Sequence, residues 1–255
     1  MGNTMRNTVR NTVRNTMGIK LFAFVRRAPG MSPADFHEYW RAEHAGHIAG
    51  TPELRRHVRR YELNHRLDED YAREPHSAEM TSGDFDGVAV LWFDSVAAMD
   101  AFNAEPGFAE WRAQDAPKFR APQVASVLTD DASVIVDTPR RDEGQAKLVC
   151  ILRRNAALDL ETFHSHWLQN HGGLFQDIPE LRDPLWGYHQ NHGIGGPDAG
   201  YDGVTEQWFE DLPRWIESLG VPAHRTTVEP DVAYLLDPTS LRFVMAGRPT
   251  VVIDG

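Results

Sequence analysis

The chain contains the same sequence pattern twice, and this repeat restricts the fold more than any other feature. Residues 36–65 and 163–192 align without a gap. The matched pairs, each 127 positions apart, include Phe36 and Phe163, Trp40 and Trp167, His44 and His171, Tyr61 and Tyr188, and His65 and His192. Further along, residues 85–93 match residues 201–209 at an offset of 116. A match of this length indicates a duplication, so both halves should have one fold.

The order of predicted elements is the same in both halves. Short apolar segments (KLFAFVRR and KLVCILRR) open the halves and are typical of strands. Ser32 before Pro33, and Asp159 in the second half, are side chains expected at a helix N-terminus. Phe36 and Trp40 then lie four positions apart on the apolar face of an amphipathic helix. Two more strands, a second helix and a closing extended segment follow, which gives the order β-α-β-β-α-β.

This order is that of the ferredoxin-like unit, an α+β fold whose sheet carries helices on one face only. The other face must be covered, and the second copy is available to cover it. We therefore predict two ferredoxin-like β-α-β-β-α-β repeats fused as a pseudo-dimeric α+β barrel. The first repeat spans residues 18–138 and the second spans residues 146–255. Residues 1–17, a short repeat of Asn, Thr, an apolar residue and Arg, predict a disordered tail.

Composition excludes several classes of function. The formal net charge of −11 disfavours nucleic acid as a partner, because phosphate binding needs clustered positive charge. No apolar run approaches the roughly 18 residues of a membrane-spanning helix. The single cysteine, Cys150, excludes a disulfide framework, and together with the lack of a secretory signal it favours the cytoplasm. HExxH, Walker-loop and GxGxxG motifs are absent, so we expect neither a metal nor a cofactor.

The repeated histidine at the end of the first helix has two interpretations. His44 and His171 each lie four residues beyond the tryptophan, so they continue the buried face of the helix. In the structural interpretation, the imidazole interacts with the C-terminal end of the helix and its dipole. In the functional interpretation, it projects into a cleft between helix and sheet and transfers a proton, because its ordinary pKa is close to neutrality.

The second strand of each half carries polar side chains on both faces. Tyr61 and His65, like Tyr188 and His192, are separated by an even number of positions and therefore share a face. Hydroxyl and imidazole groups there can bind and polarise a ketone or a phenol. The asparagine before each histidine points to the opposite face, where a hydrogen-bonded scaffold is the simpler interpretation.

Glu206 is the most informative difference between the halves, since Val90 occupies the matching position. It lies two residues before Trp208 and so shares its strand face. A carboxylate facing a tryptophan-lined pocket would have a raised pKa and could act as a general acid or base. On a face that meets water it would have no such role. Lys20 and Lys147, on the first strands, either tether an anionic substrate or are simply solvated.

These motifs resemble those of the EthD family in the dimeric α+β barrel superfamily. MSPADFHEYWRAEH contains an F-x-x-x-W-x-x-x-H helix after a K-x-x-x-x-x-R strand, and DGVTEQWF is similar to the family strand D-G-x-x-E-x-W-F. The resemblance covers nearly everything after Met17. It implies half-barrels that usually pair by dimerisation and are here fused in tandem. It places the family's helix histidine at His44 and His171 and its strand glutamate at Glu206 only, because Val90 departs from the pattern.

The resemblance also implies a range of activities, since relatives across the superfamily include cofactor-free monooxygenases, cyclases, dehydratases, isomerases and some haem enzymes. The leading hypothesis is a cofactor-independent acid–base enzyme of lyase or isomerase type. It would dehydrate, cyclise or isomerise a small, hydrophobic, oxygenated, aromatic or polyketide-like substrate in catabolism or secondary metabolism. One alternative is a cofactor-free monooxygenase similar to anthrone oxygenases. Another is a non-catalytic protein that binds small molecules or assists another enzyme.

Two sets of residues follow from the leading hypothesis. The expected catalytic residues are His171, Glu206, His44, Tyr188 and His192. The expected substrate-binding residues are Tyr61, His65, Trp92, Trp208, Trp167 and Trp40. His171 and Glu206 would move protons while Tyr188 and His192 polarise the substrate oxygen. The expected partner is a small molecule rather than nucleic acid or membrane, and assembly of the pseudo-dimer into a homodimer stays open.

Overall fold

Two antiparallel sheets of five strands face each other, and helices cover the outer side of each sheet. The computed structural model describes residues 18–72, 85–195 and 200–255. The tail predicted at residues 1–17 lies outside the described residues. The predicted α+β fold, with two ferredoxin-like repeats arranged as a barrel, is confirmed by the two sheets and their helices.

Each half contributes five strands to the described part of the chain. They are β1 (Ile19–Arg27), β2 (Arg60–His65), β3 (Gly87–Phe93), β4 (Arg120–Thr129), β5 (Ser133–Asp137), β6 (Ala146–Leu152), β7 (Leu185–His192), β8 (Gly203–Phe209), β9 (Arg242–Ala246) and β10 (Thr250–Asp254). The first sheet has the order β10-β2-β3-β1-β4, and the second has the order β5-β7-β8-β6-β9.

The helices are short and are interrupted by wider turns. They are α1 (Pro33–Tyr39), α2 (Gly46–Gly50), α3 (Pro52–Arg55), α4 (Asp68–Tyr71), α5 (Val96–Asn103), α6 (Phe108–Phe119), α7 (Leu160–His166), α8 (Gly172–Asp177), α9 (Pro179–Arg182), α10 (Leu212–Leu219) and α11 (Glu229–Leu235). The π-helical turns are Trp40–Ala45, Trp167–His171 and His224–Val228, and Arg141–Glu143 is a 3-10 turn. Within the described ranges, every helix is too short or too polar to traverse a bilayer.

Side-chain caps start the first helix of each half where the sequence predicts them. Ser32 Oγ accepts a hydrogen bond from the amide of Asp35 at 3.1 Å, and Asp159 Oδ1 accepts one from the amide of Thr162 at 2.7 Å. Each cap satisfies one of the amide groups that a helix start leaves without a partner. Both helices then continue into a π-helical turn that contains the repeated histidine.

Packing explains why an Asp-Gly pair occurs at the start of the third strand in each half. A Cβ on Gly203 would lie 2.6 Å from Cζ3 of Trp167, so glycine lets the helix tryptophan approach the sheet this closely. The first half has the same contact between its own glycine and tryptophan. Asp202 accepts a hydrogen bond from the amide of Arg154 at 2.8 Å and also pairs with its guanidinium. The repeated Asp, Gly and Trp therefore serve the fold.

The last strand of each half joins the sheet of the other half. β5 pairs with β7 in the second sheet, and β10 pairs with β2 in the first. The extended segment expected to close the first half, residues 124–136, is divided between β4 and the exchanged β5. Each exchanged strand covers an edge that would otherwise expose unpaired backbone groups. Neither sheet is complete without the other half.

Three apolar layers result from this arrangement. The layer between the sheets includes Phe22 and Val90 from the first half and Val149 and Val204 from the second. The two outer layers lie between each sheet and its own helices. Because side chains alternate along a strand, each strand sends one set toward the facing sheet and the other toward the helices. This alternation decides which of the expected site residues can meet.

Candidate functional site

A pocket of about 610 Å³ opens between the two sheets, and both halves line it. Its main charged side chains are Lys20, Lys147, Arg60, Arg141, Glu62 and Glu206. Trp92, Trp208 and His189 lie among them. Of the residues expected from the sequence, the pocket brings together Glu206, Trp92 and Trp208. The shared strand face expected for Glu206 and Trp208 is therefore present.

Glu206 lies at the centre of a polar cluster that joins the halves. Its Oε1 is 2.8 Å from Nζ of Lys147, and its Oε2 is 3.5 Å from Nζ of Lys20. Asn191 Nδ2 donates a hydrogen bond to Oε2 at 3.1 Å. The residue is only 2% exposed. Two ammonium groups and one amide thus surround a carboxylate that could not be buried at low cost without them.

The pKa of Glu206 is shifted in the direction opposite to the sequence expectation. Burial alone would raise the pKa of Glu206, but the ammonium groups of Lys147 and Lys20 hold it well below its ordinary value. The carboxylate is therefore charged throughout the neutral range. The expected raised pKa was wrong because it assumed an apolar pocket, whereas Lys20 comes from the facing sheet. A charged Glu206 can hold cations in place, but it is a poor proton donor.

Glu62 brings a second carboxylate to the cluster from the first half. Its Oε2 lies 3.9 Å from Nζ of Lys147, and Arg60 Nε lies 2.7 Å from its Oε1. Lys147 thus contacts acids from both halves. Lys20 Nζ instead donates to Oδ1 of Asn191 at 2.9 Å, which brings an asparagine interpreted as scaffold into the site.

His189 is an imidazole that lines the pocket. It lies on β7 opposite Glu206 of β8, and its ring packs edge-on against Trp208 with 4.7 Å between centroids. Burial lowers the pKa of His189 to about 4, although the charge of Glu206 opposes this shift. Its Nε2 is buried and has no hydrogen-bond partner among the described residues. The imidazole is therefore neutral at physiological pH.

Each tryptophan of the pocket lies beneath a lysine from its own half. Lys20 Nζ is 5.3 Å from the ring centroid of Trp92, and Lys147 Nζ is 4.7 Å from that of Trp208. A cation over an aromatic face is attracted by the quadrupole of the ring. The lysines are 127 positions apart and the tryptophans are 116 apart, so these pairs follow the internal repeat.

An arginine also accompanies each tryptophan, but the two arginines occupy non-equivalent positions. The guanidinium of Arg60 is 5.9 Å from the ring centroid of Trp92, and that of Arg141 is 5.8 Å from Trp208. The repeat matches Arg60 to Gly187. A Cβ on Gly187 would lie 2.8 Å from Cγ of Arg141, so the Arg141 side chain fills the space that a side chain at 187 would need. Arg141, which lies between β5 and β6, thus takes the place of the missing arginine.

The two repeated helix histidines lie in the outer layers, away from this pocket. His171 Nδ1 is 2.7 Å from Oδ2 of Asp231, whose Oδ1 is 2.6 Å from Nε2 of His166. In the first half, His44 Nδ1 is 2.7 Å from Oδ2 of Asp115. Burial lowers the pKa of His44 despite this carboxylate. The second sheet lies between His171 and Glu206, so the structure does not bring these two residues together.

Tyr188 and His192 also face the helices. The Tyr188 ring packs edge-on against Phe175 at 5.1 Å, and Gln190 Nε2 donates to its hydroxyl at 3.0 Å. Burial raises the pKa of Tyr188 above its ordinary value. The ring of His192 lies 4.8 Å from that of Trp167, and burial lowers its pKa to about 3.

The corresponding residues of the first half have the same environment. Tyr61 is 1% exposed and belongs to the apolar layer under the helices, as does Trp40. The ring of His65 lies 5.3 Å from that of Trp40, and burial lowers the pKa of His65 to about 3. These side chains pack the outer layer rather than line the pocket between the sheets.

A cavity under the helices of the second sheet, beside Phe175 and Trp215, measures about 40 Å³, which is close to the volume of a single water molecule. A larger hollow of about 560 Å³ lies beside α9 and α10. Trp167, which was expected to bind substrate, is 1% exposed within this layer. Among the described residues, no three His, Cys, Asp or Glu side chains are grouped so that they could hold a metal ion.

Sequence reasoning missed the importance of His189, Asn191 and Arg141. His189 has no matching histidine in the first half, where Glu62 occupies the equivalent position and also lines the pocket. The available signal was alternation, since positions 189 and 191 share a strand face with each other and oppose 188 and 192. Arg141 had no local signal, because its role depends on the gap above Gly187.

Comparisons with known proteins agree with this fold. An anthrone oxidase-like protein of known structure superposes with a TM-score of 0.65 at 8% identity, over 94% of each chain. A chlorite dismutase from Candidatus Nitrospira defluvii in complex with imidazole superposes with a TM-score of 0.52 at 12% identity, over 93% of each chain. Such low identities show the fold alone. None of the curated proteins compared with the chain matches its sequence.

The sequence profile of the EthD domain matches the chain twice, over residues 28–123 and 155–239. Each match falls in one of the two repeats, and together they cover most of the described chain. The duplicated ferredoxin-like units and the family profile therefore identify the same two segments, and the chain belongs to the EthD family.

Proposed function

We propose that this protein is an acid–base enzyme that removes a proton next to a carbonyl or phenol of a small, oxygenated aromatic or polyketide-like molecule. The reaction would take place in the pocket between the sheets and lead to dehydration, cyclisation or isomerisation. The observation that carries the proposal is the juxtaposition of a neutral imidazole, His189, with two lysines beside Glu206 in a pocket that contains Trp92 and Trp208.

His189 would accept the proton. A base works only in its unprotonated form, and the lowered pKa of His189 keeps the imidazole neutral at physiological pH. A base with a pKa of about 4 is weak, so the carbanion or enolate that it generates must be strongly stabilised. That stabilisation is the role we assign to the lysines.

Lys20 and Lys147 would stabilise the developing negative charge on the substrate oxygen. Their ammonium groups are fixed before the reaction by Glu206 and Asn191, so little reorganisation is needed when charge appears. Glu206 would then act by orienting cations rather than by moving protons. This differs from the role expected from the sequence, in which Glu206 and His171 move protons.

A second candidate function uses the same chemistry up to the carbanion. If the stabilised carbanion or phenolate reacted with O₂, the product would be that of a cofactor-free monooxygenase. The anthrone oxidase-like protein with the same fold is the reason to test this outcome. Oxygen consumption with anthrone as substrate separates the two candidates, because proton transfer alone consumes no O₂.

Proton removal can be tested without knowing the natural substrate. The probe is 2-tetralone, an aromatic ketone with acidic hydrogens beside its carbonyl, dissolved in D₂O and followed by proton NMR. We expect the protein to accelerate hydrogen–deuterium exchange over buffer. His189→Gln should slow the catalysed exchange about 100-fold or more, because a positioned base contributes at least that factor.

Two further variants decide where the base lies. His47→Gln alters an exposed histidine and serves as the matched control. His171→Gln tests the helix-side histidine that the sequence favoured. Loss of exchange in His171→Gln with full exchange in His189→Gln would overturn the proposed site. Binding of the ketone without exchange above buffer would instead favour the non-catalytic binding protein.

A further inference from the structure

The pocket between the sheets is lined by more cations than carboxylates, although the chain as a whole is strongly negative. Five cationic side chains line it, together with three carboxylates, which leaves an excess of two positive charges when His189 is neutral. The lining residues beyond those already described include Arg248 and Asp142. The whole chain has a formal net charge of −11. Asp254 and Asp137, which lie outside the lining, pair with Arg60 and Arg141, so the attraction of the pocket for an anion depends on the cation that has no carboxylate partner.

Four of the five cations already have carboxylate partners. Lys20 and Lys147 share Glu206, and Arg60 pairs with Glu62 and with Asp254 of β10. Arg141 pairs with Asp137 and Asp142, at 3.0 Å in each case. These pairs hold the walls of the pocket together and leave these cations partly neutralised.

Arg248 is different because most of its N–H groups make no hydrogen bond within the described residues. Its Nη2 donates one hydrogen bond to the carbonyl oxygen of Glu143 at 2.9 Å, and no carboxylate of the described residues lies within ion-pair distance. It is exposed, and it lies between β9 and β10, where Pro249 also lines the pocket. A guanidinium has five N–H groups and matches a carboxylate with two parallel hydrogen bonds.

We propose that the substrate of this pocket carries a carboxylate, which binds Arg248 at the pocket opening while the aromatic part lies deeper, beside Trp92 and Trp208. This inference rests on the proposed function, since it concerns the same pocket. It names the class of substrate as an aromatic or polyketide-like acid. The guanidinium of Arg248 binds the acid group, and Lys20 and Lys147, deeper in the pocket, interact with the reacting oxygen.

The proposal is tested by calorimetric titration with 2-naphthoate and with its neutral isostere 2-naphthamide. Arg248→Ala should weaken 2-naphthoate binding about tenfold or more, because a hydrogen-bonded charge pair is lost. The same variant should leave 2-naphthamide binding unchanged. Arg225→Ala, which removes an exposed arginine outside the pocket lining, is the matched control and should change neither titration.

The outcomes separate this inference from the proposed function. Equal affinity of the protein for 2-naphthoate and 2-naphthamide would overturn the carboxylate proposal, as would an unchanged 2-naphthoate affinity in Arg248→Ala. Failure of both ligands to bind the protein would overturn the carboxylate proposal as well. If 2-naphthoate binds in an Arg248-dependent way but 2-tetralone shows no catalysed exchange, carboxylate recognition is supported while the acid–base function fails.

Discussion

The two halves of this chain have the same fold, but they supply different side chains to the pocket between them. The matched positions 62 and 189 hold Glu62 and His189, and the matched positions 90 and 206 hold Val90 and Glu206. Each half therefore contributes one carboxylate from a different strand, and only the second half contributes an imidazole. The lysines and tryptophans, in contrast, are the same in both halves.

This difference shows that, after duplication, the two copies could contribute different side chains to one shared pocket. Lys20 donates to Asn191, whereas Oδ1 of the matching Asn64 has no partner among the described residues. Lys147 instead contacts Glu206 and Glu62. A homodimer would have to place identical residues at both sets of positions, so it could not combine a single imidazole with this arrangement of acids.

The largest expected effect comes from giving the second half the residue of the first, with Glu206→Val. Two buried lysines would lose their closest carboxylate, which should lower the free energy of unfolding by about 3–5 kcal/mol. Glu206→Gln should cost less because it keeps hydrogen-bonding groups at the same place. Urea denaturation measures both, with the exposed Glu217→Gln as the control. A Glu206→Val protein as stable as the wild type would show that the cluster contributes nothing to folding.

A smaller effect should follow from restoring the arginine that the second half lacks. Gly187→Arg alone overfills the space occupied by Arg141 and should cost about 1–3 kcal/mol. In the Arg141→Ala background that space is free, so the double variant should be more stable than the sum of the single changes predicts. Thermal unfolding of all four proteins completes the cycle. Strict additivity would contradict the proposed replacement of one arginine by the other.

A further effect, which depends on acidity, concerns the pH dependence of stability. The folded pKa values are about 3 for His65 and His192 and about 4 for His189, whereas the unfolded value is near 6.5. As pH falls below 6.5, the unfolded chain binds protons that the folded chain does not, so stability should fall until pH reaches about 3 to 4. Urea midpoints at pH 7, 5 and 4 measure this.

Single His→Gln variants sharpen the comparison between the halves. His65→Gln and His192→Gln should each remove a similar part of the acid destabilisation, because their environments match. His189→Gln should remove a further part that has no counterpart in the first half. An acid destabilisation unaffected by all three variants would assign it to other groups.

Much of the architecture could be predicted from the sequence, because the repeat and the local signals agree. Ser32 and Asp159 cap the helices as expected, and the offset of 127 locates the matched elements. The exchange of β5 and β10 could not be predicted, since pairing with a distant edge has no local signature. The sequence shows that Tyr188 and His192 share a strand face, but it does not show that this face packs under the helices.

The site was less predictable, because its electrostatics depend on contacts between distant residues. Glu206 was identified from its difference with Val90, and it does lie in a pocket with Trp208. The direction of its pKa shift depends on Lys20, which is 186 positions away in the chain. No local pattern links these two residues. Arg141 likewise acquires its place only because Gly187 leaves room for it.

The central claim is that ligands bind between the two sheets rather than under the helices. The most direct measurement is fluorine NMR of protein labelled with 5-fluorotryptophan at its seven tryptophans and titrated with 2-naphthoate. Resonances are assigned by single Trp→Phe variants. We predict that the signals of Trp92 and Trp208 shift with ligand concentration while those of Trp40 and Trp167 stay in place. Shifts of Trp40 or Trp167, with Trp92 and Trp208 unchanged, would contradict the account.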